Sequence, residues 1–169
     1  MLTFFNIGGG FPEEYFGIKQ QPLTKYFKVI NTEFLKYFKN SKTKLLSEPG
    51  RVLVSNSMSL IVRVDLRKKN ILYINDCTHS FLRDAGEHHF IYPVKIFKKE
   101  EKSKLIPFSF YGPTCDSSDF MRGHFLLPES TNEGDYLEIE EMGAYSLSMK
   151  NNFNGFFSKP KIFIEEENK

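Results

Sequence analysis

The chain has 169 residues, of which 40% are hydrophobic and 15% aromatic, so it is long and apolar enough to bury a core and is not a disordered segment. The 23 Lys and Arg and the 21 Asp and Glu residues are interleaved and give a formal net charge of +2, which indicates neither a nucleic-acid-binding stripe nor a membrane-binding one. Two cysteines without CxxC spacing, no signal-peptide pattern, and no apolar run near the roughly 20 residues of a membrane span indicate a reduced, cytoplasmic protein.

The first 55 residues predict one β-α-β unit. Residues 2–10, LTFFNIGGG, are typical of a buried strand that ends in a glycine loop, and residues 22–39 carry apolar side chains at helical spacing after Pro22. Residues 44–54, KLLSEPGRVLV, predict a second buried strand that is interrupted by Pro-Gly. This order favours two parallel strands joined by a right-handed crossover.

After residue 55 the apolar residues recur with a period of two. Short alternating runs rich in β-branched and aromatic residues are separated by polar, Gly or Pro segments, a pattern that predicts an antiparallel sheet or barrel. The runs are SLIVRVDL (59–66), NILYIND (70–76), IYPVKIFKK (91–99), LIPFSFYG (105–112) and DYLEIEEMG (135–143). The tail, KPKIFIEEENK (159–169), predicts a short strand with a frayed, charged end.

Two glycine-containing motifs near the start have both a chemical and a plain interpretation. Gly8, Gly9 and Gly10 can form a nest of backbone N–H groups for an anion, or simply a tight turn. SEPGR (47–51) places a carboxylate and a guanidinium at the end of the second parallel strand, where α/β proteins build sites; a surface ion pair is the alternative.

Two later motifs are equally open by themselves. YGPTCDSSD (111–119) places Cys115 and Asp116 after a Gly-Pro turn, where a cysteine is either structural or reactive. MGAY (142–145) and NNFNGF (151–156) supply the phenol of Tyr145 and an Asn-Gly dipeptide that is ordinarily found in hairpins.

Taken together and in this order, the motifs resemble the C-terminal part of the ornithine, lysine and diaminopimelate decarboxylase family, most nearly the bacterial ornithine/lysine decarboxylases. These are pyridoxal-phosphate enzymes in which a TIM barrel is joined to a β-domain. The resemblance implies an α+β fold, with residues 1–55 as the last β-α-β unit of the (β/α)8 barrel and residues 56–169 as an antiparallel β-barrel or sandwich domain. It also implies that the chain starts near the seventh barrel strand.

The resemblance implies pyridoxal 5′-phosphate as the cofactor and assigns residues to it. The phosphate would be held by the glycine loop and Arg51, with a further hydrogen bond from Tyr145. Glu48 would pair with the pyridine nitrogen and keep the ring an electron sink. The full cofactor-binding set is Gly8, Gly9, Gly10, Glu48, Gly50, Arg51 and Tyr145.

The resemblance also implies the substrate-side residues and the partner. Cys115 would be the catalytic thiol that directs protonation of the product carbon, and Asp116 would bind the distal amino group of a small diamino acid, with Asp84 near a second acidic position. In this family the Cys-Asp loop reaches across a dimer interface, which implies a homodimer or a complex with the N-terminal barrel half.

Two departures from the family pattern are visible. No lysine here matches the Schiff-base motif, and the histidine that stacks on the cofactor ring is absent with it. Where the family reads Asn-Asp-Gly, a small residue, Tyr, Gly and Ser, residues 75–81 read NDCTHSF, so this loop must follow another path or carry strain.

We therefore interpret the chain as the C-terminal portion of a pyridoxal-phosphate-dependent ornithine or lysine decarboxylase of polyamine biosynthesis, inactive without the barrel half. The alternatives are a non-catalytic homologue that serves as a dimerisation module, and a decayed remnant. A cysteine hydrolase using Cys115 and His124 would leave GGG and EPGR unexplained, and the four histidines lack the spacing of a metal site.

Overall fold

The computed structural model describes residues 2–13, 20–97, 102–156 and 159–164. In chain order its elements are β1 (Phe4–Asn6), α1 (Leu23–Phe38), β2 (Lys44–Leu46), α2 (Arg51–Val54), a 3-10 turn (Ser55–Ser57), β3 (Leu60–Lys68), β4 (Ile71–Ile74), α3 (Arg83–Glu87), β5 (Val94–Ile96), β6 (Leu105–Tyr111), β7 (Phe120–Pro128), β8 (Tyr136–Ile139), α4 (Ser146–Met149) and a second 3-10 turn (Phe153–Gly155). No helix in these ranges has the length and apolar character needed to span a membrane.

The predicted β-α-β unit is present, and its strands β1 and β2 pair in parallel. Its predicted burial is wrong, because all three residues of β1 are exposed and no residue of α1 is buried. The apolar side of the helix does pack on the strand, with the Phe38 ring 5.3 Å from that of Phe5. These two strands form a sheet of their own, so their outer edges pair with no other strand within the described residues.

Residues 51–54 form helix α2 and not the predicted continuation of a strand. Pro49 and Gly50 end the extended segment, and Gly50 takes φ −119° and ψ −94°, which turns the chain. The Leu53 N–H then donates to the Gly50 carbonyl at 2.9 Å. The bend brings Arg51 out of the strand direction and towards the larger sheet.

The larger sheet has six strands in the order β5-β8-β3-β4-β6-β7. Four of its pairs are antiparallel, but β4 and β6 are parallel, so the sheet is mixed and the prediction of an antiparallel one is wrong at this pair. The chain leaves β4, forms α3 and β5 elsewhere, and returns in the same direction. The end strands β5 and β7 lie beside each other, so the sheet is nearly closed.

The core is the inner face of this sheet and follows the predicted period of two. Val62 and Val64 are buried on β3, and the rings of Phe110 and Phe125 stack at 4.3 Å between β6 and β7. The sequence analysis did not predict strand β7, because Gly123 interrupts its alternation of apolar and polar residues. A Cβ at that position would overlap the Phe125 ring, so only glycine permits this packing.

One prediction near the C-terminus is wrong, and one motif that the sequence left open is decided. Residues 159–164 form no strand, and residues 165–169 lie outside the described residues. The NNFNGF segment forms a 3-10 turn and not a hairpin, with Asn154 at φ 53° and Gly155 at φ 75°. These left-handed residues reverse the chain without a second strand to pair with it.

Candidate functional site

The glycine loop packs directly on the SEPGR segment. Gly8 and Gly10 have positive φ values of 73° and 79°, and a Cβ at Gly9 would overlap the carbonyl oxygen of Glu48. The Glu48 N–H donates to the Gly8 carbonyl at 2.8 Å. Asn6 at the end of β1 accepts from the Gly8 N–H at 2.9 Å and donates to Glu48 Oε1 at 2.5 Å. Because glycine alone tolerates these positions, the loop and the Glu48 carboxylate form one fixed unit.

Arg51, the first residue of α2, is held on several sides. Its Nη2 donates to Asp84 Oδ2 at 2.5 Å, and the two side chains are only 16% and 9% exposed. The guanidinium carbon lies 4.8 Å from the centre of the Phe90 ring and 4.9 Å from that of Tyr145. Burial, and to a lesser degree Asp84, raise the pKa of Tyr92 to about 12, while its hydrogen bond to Arg51 opposes this. The guanidinium is therefore fixed in one orientation.

The MGAY turn brings Tyr145 to this position. A Cβ at Gly143 would overlap the Val54 carbonyl oxygen, and the Gly143 N–H donates to the Ser55 carbonyl at 2.8 Å, so the turn docks on the end of α2. Tyr145 itself has φ 62°, a left-handed conformation that is strained for this residue type. Its hydroxyl lies 3.9 Å from where a Cβ of Gly50 would stand.

Cys115 and Asp116 lie in a second group of residues. Asn154 Nδ2 donates to the Cys115 sulfur at 3.1 Å. Asp116 accepts from the Ser118 N–H at 2.8 Å and lies 3.0 Å from His79 Nε2. The Ser118 hydrogen bonds, followed by His79, lower the pKa of Asp116. Across the described ranges, neither Cys115 nor Asp116 is bonded to the group around Arg51.

The structure gives no support to a cysteine hydrolase. The hydrogen-bond partner of Cys115 is Asn154, and His124 is exposed on β7. The other cysteine is buried, and burial followed by the charge of Asp119 raises the pKa of the Cys77 thiol to about 11. A thiol with that pKa is a poor nucleophile at neutral pH.

A buried carboxylate joins the Cys115 loop to the loop at 75–81. Asp119 is fully buried, and its Oδ1 accepts from the N–H and hydroxyl of Thr78 at 2.9 and 3.2 Å. Its Oδ2 accepts from the N–H and hydroxyl of Thr114 at 3.2 and 2.7 Å. Four hydrogen bonds compensate for the burial of this charge and tie the two loops together.

The loop at 75–81 is well packed. It does not carry the left-handed backbone strain that the loss of two glycines could cause. None of its residues has a positive φ. Asp76 supports the turn, because its Oδ1 accepts from the N–H groups of Cys77 at 2.7 Å and Phe81 at 3.1 Å. The loop has therefore taken another path, held by side-chain hydrogen bonds in place of glycine conformations.

Asp76 makes the stability of the protein depend on pH. Burial outweighs its hydrogen bonds and raises its pKa from 3.8 to about 6. Because the folded state binds this proton more tightly than the unfolded state, the stabilisation present below pH 3.8 is lost as the pH rises to about 6. We expect Asp76→Asn to be more stable than the wild type at pH 7 by about 3 kcal/mol. Urea unfolding at pH 4 to 7 measures this, and equal pH slopes in the two proteins would contradict it.

The predicted residues thus fall into two neighbourhoods. One contains the glycine loop, Glu48, Gly50, Arg51, Asp84 and Tyr145, and the other contains Cys115 and Asp116. The sequence analysis assigned no site role to the aromatic side chains of Phe90 and Tyr92 or to the polar partners His79 and Asn154. His79 and Asn154 stood in the quoted segments NDCTHSF and NNFNGF, but neither was assigned a function. No group of His, Cys, Asp or Glu side chains in the described ranges is placed to hold a metal ion.

Comparison with known proteins gives consistent matches. Residues 27–143 match the model of a pyridoxal-dependent decarboxylase, C-terminal sheet domain. The chain is 32% identical to antizyme inhibitor 2 of Xenopus laevis, covering 94% of this chain and 38% of the relative. It is 31% identical to the lysine/ornithine decarboxylase of Selenomonas ruminantium, covering 98% of this chain and 42% of the relative.

A solved structure agrees with these matches. The diaminopimelate decarboxylase of Helicobacter pylori complexed with L-lysine superposes with a TM-score of 0.73 at 30% identity, covering 90% of this chain and 37% of that one. The chain therefore spans about two fifths of the length of the curated relatives it matches, 38% and 42%.

Proposed function

The chain belongs to the pyridoxal-dependent decarboxylase family, and on that premise we propose that it is the C-terminal part of a decarboxylase of ornithine or lysine. In this proposal residues 1–55 are the last β-α-β unit of a TIM barrel, and residues 56–169 are the sheet domain. The parallel pairing of β1 and β2 around α1 supports the first assignment. A core that runs from Val62 to Met142 supports the second.

The observation that carries the proposal is a connected series of contacts that joins three kinds of hydrogen-bond donor. The glycine loop packs on Glu48, and Gly50 and Arg51 follow Glu48 closely in the chain. The Arg51 guanidinium in turn lies over the Tyr145 ring. In the described residues, the N–H groups of Gly9 and Gly10 make no hydrogen bond. Free N–H groups, a fixed guanidinium and a phenol fit the phosphate of pyridoxal phosphate, which is the cofactor of this family.

When bound, pyridoxal phosphate accepts the electrons that departing carbon dioxide leaves behind. We assign Glu48, held by Asn6, to the protonated pyridine nitrogen, whose positive charge its carboxylate stabilises. Arg51 and Tyr145 hold the phosphate. Asp84 keeps Arg51 in position through their buried ion pair, which leaves Asp116 as the chief carboxylate for the substrate.

We base a proposal for the substrate class and the assembly on the second neighbourhood. We assign Cys115 as the proton donor to the product carbon and Asp116 as the carboxylate that binds the distal amino group of a small diamino acid. The lysine bound in the Helicobacter pylori relative supports this class. Within the described residues Cys115 and Asp116 form no hydrogen bond or ion pair with the Arg51 group, and we therefore propose a homodimer that places them in the partner's site. Both cysteines are free, which fits the reducing environment of the cytoplasm. We propose that the diamine product enters polyamine synthesis there.

A second candidate is a non-catalytic partner-binding module. One relative at 32% identity is named as an inhibitor and not as a decarboxylase. In this alternative the sheet domain is kept for dimerisation, and the cofactor residues are relics.

The deciding experiment joins this chain to the barrel part of a relative. Co-expression with the N-terminal part of the Selenomonas ruminantium lysine/ornithine decarboxylase, which in this proposal would supply the remaining barrel strands, is expected to give decarboxylation of lysine or ornithine. The assay measures release of carbon dioxide and diamine. We expect Cys115→Ala to lower kcat by about 100-fold, and Glu48→Gln to lower it further. His124→Phe, an exposed histidine on β7, is the matched control and should leave kcat unchanged.

The other outcomes separate the alternatives. A folded complex that binds cofactor without turnover would contradict the decarboxylase proposal and favour the partner-binding module. Activity that returns only when residues 77–81 are rebuilt as a loop containing Gly and Tyr would identify the chain as a decayed remnant.

A further inference from the structure

His79 stands in the loop that departs from the family sequence, yet it makes a specific set of contacts. We propose that His79 is a positioning residue that orients the Asp116 carboxylate for the distal amino group of a diamino acid. This inference rests on the proposed function for the identity of the amine. It assigns a role to a position that the sequence indicated only as a lost tyrosine.

The His79 ring is held in one orientation by the 3-10 turn at 153–155. Its imidazole stacks on Phe153 with ring centres 4.0 Å apart and an interplanar angle of 27°. The Asn151 N–H donates to the His79 carbonyl at 3.2 Å, which ties the backbone to the same segment. With the ring held on its face, Nε2 at its edge lies 3.0 Å from Asp116 Oδ2.

The carboxylate of Asp116 is oriented from both ends and stays accessible. Oδ2 faces His79, and Oδ1 accepts from the Ser118 N–H at 2.8 Å. A carboxylate has about four lone-pair sites, and the N–H and hydroxyl of Ser118 together with His79 occupy three of them, so a site remains for a ligand. The side chains of His79 and Asp116 are 24% and 29% exposed, which allows an ammonium group to reach them.

An imidazole suits this task better than a lysine or an arginine would. In its neutral form it donates one hydrogen bond to the carboxylate without cancelling the negative charge. Asp116 can then still attract the positive charge of an amine. A permanent cation at the same position would neutralise the carboxylate and compete with the substrate.

The same turn supports Cys115 by a separate contact. Asn154, next to Phe153 in the chain, donates to the Cys115 sulfur at 3.1 Å. The thiol therefore keeps its own support when the His79 contact is removed. Loss of His79 should affect binding of the amine and leave the chemistry at the thiol largely intact.

The first test follows the Asp116 carboxyl group in the 169-residue chain by ¹³C NMR titration with labelled aspartate. His79→Phe keeps an aromatic ring on Phe153 but removes the donor. We expect the pKa of Asp116 to rise towards its ordinary value in this variant and to stay unchanged in the control His124→Phe. An identical Asp116 titration in the wild type and His79→Phe overturns the inference.

The second test uses the complex with the barrel polypeptide. We expect His79→Phe to raise KM for lysine about tenfold with little change in kcat, and His79→Gln, which restores a donor, to recover most of the loss. The KM for norleucine, which lacks the distal amino group, should be the same in the wild type and His79→Phe. An equal loss with both substrates overturns the inference. Absence of turnover in the wild-type complex contradicts the proposed function instead, and the carboxyl titration then decides the role of His79.

Discussion

Replacement of Arg51 by alanine is expected to weaken binding of pyridoxine 5′-phosphate about 100-fold and to leave binding of pyridoxine unchanged. The guanidinium is fixed between two aromatic rings and paired with Asp84, so it can meet a phosphate dianion without first being ordered. Pyridoxine phosphate lacks the aldehyde and cannot react with lysines, so titration calorimetry and ³¹P NMR report the non-covalent contacts alone.

A control is needed because Arg51→Ala leaves the buried Asp84 carboxylate without its close partner, since the exposed His88 has its Nε2 4.0 Å away. That loss destabilises the fold by itself, by about 3 kcal/mol. The double variant Arg51→Ala/Asp84→Asn removes the unpaired charge and should regain stability without regaining phosphate affinity. Equal affinity for the phosphate ester in the wild type and both variants would remove Arg51 from the proposed site.

Replacement of Asp119 by alanine is expected to lower the free energy of unfolding by about 4 kcal/mol. The variant leaves two buried donors on Thr78 and two half-buried donors on Thr114 without an acceptor, and it separates the loops that carry His79 and Cys115. Urea unfolding followed by circular dichroism measures the change. Alkylation of Cys115, the exposed cysteine, should become faster as its loop loosens.

The matched control for Asp119 is an exposed aspartate in the same sheet domain. Asp65 on β3 is 39% exposed and paired with Arg63 at 2.7 Å. Asp65→Ala should change the free energy of unfolding by less than about 0.5 kcal/mol. A similar small change in Asp119→Ala would mean that its four hydrogen bonds do not hold the two loops together.

The sequence by itself determined most of the local structure. Its spacing of apolar residues predicted helix α1 and five of the six strands of the larger sheet, because alternation on a half-buried strand and the helical period are both local properties. The parallel pairing of β1 and β2 followed from the order strand, helix, strand. The glycine and Pro-Gly motifs carried the family resemblance, which the comparisons confirm.

Only the tertiary structure decided which distant groups meet. The parallel pairing of β4 with β6 and the helical path of residues 51–54 depend on where the chain returns, and no local pattern encodes that. Asp84 was expected on the substrate side, but the fold pairs it with Arg51. His79 was read as the trace of a lost tyrosine, but it meets Asp116 across 37 residues of sequence. Hydrogen bonds and ion pairs act over about 3 Å in space, so their partners are fixed by the packing of separate loops and not by spacing along the chain.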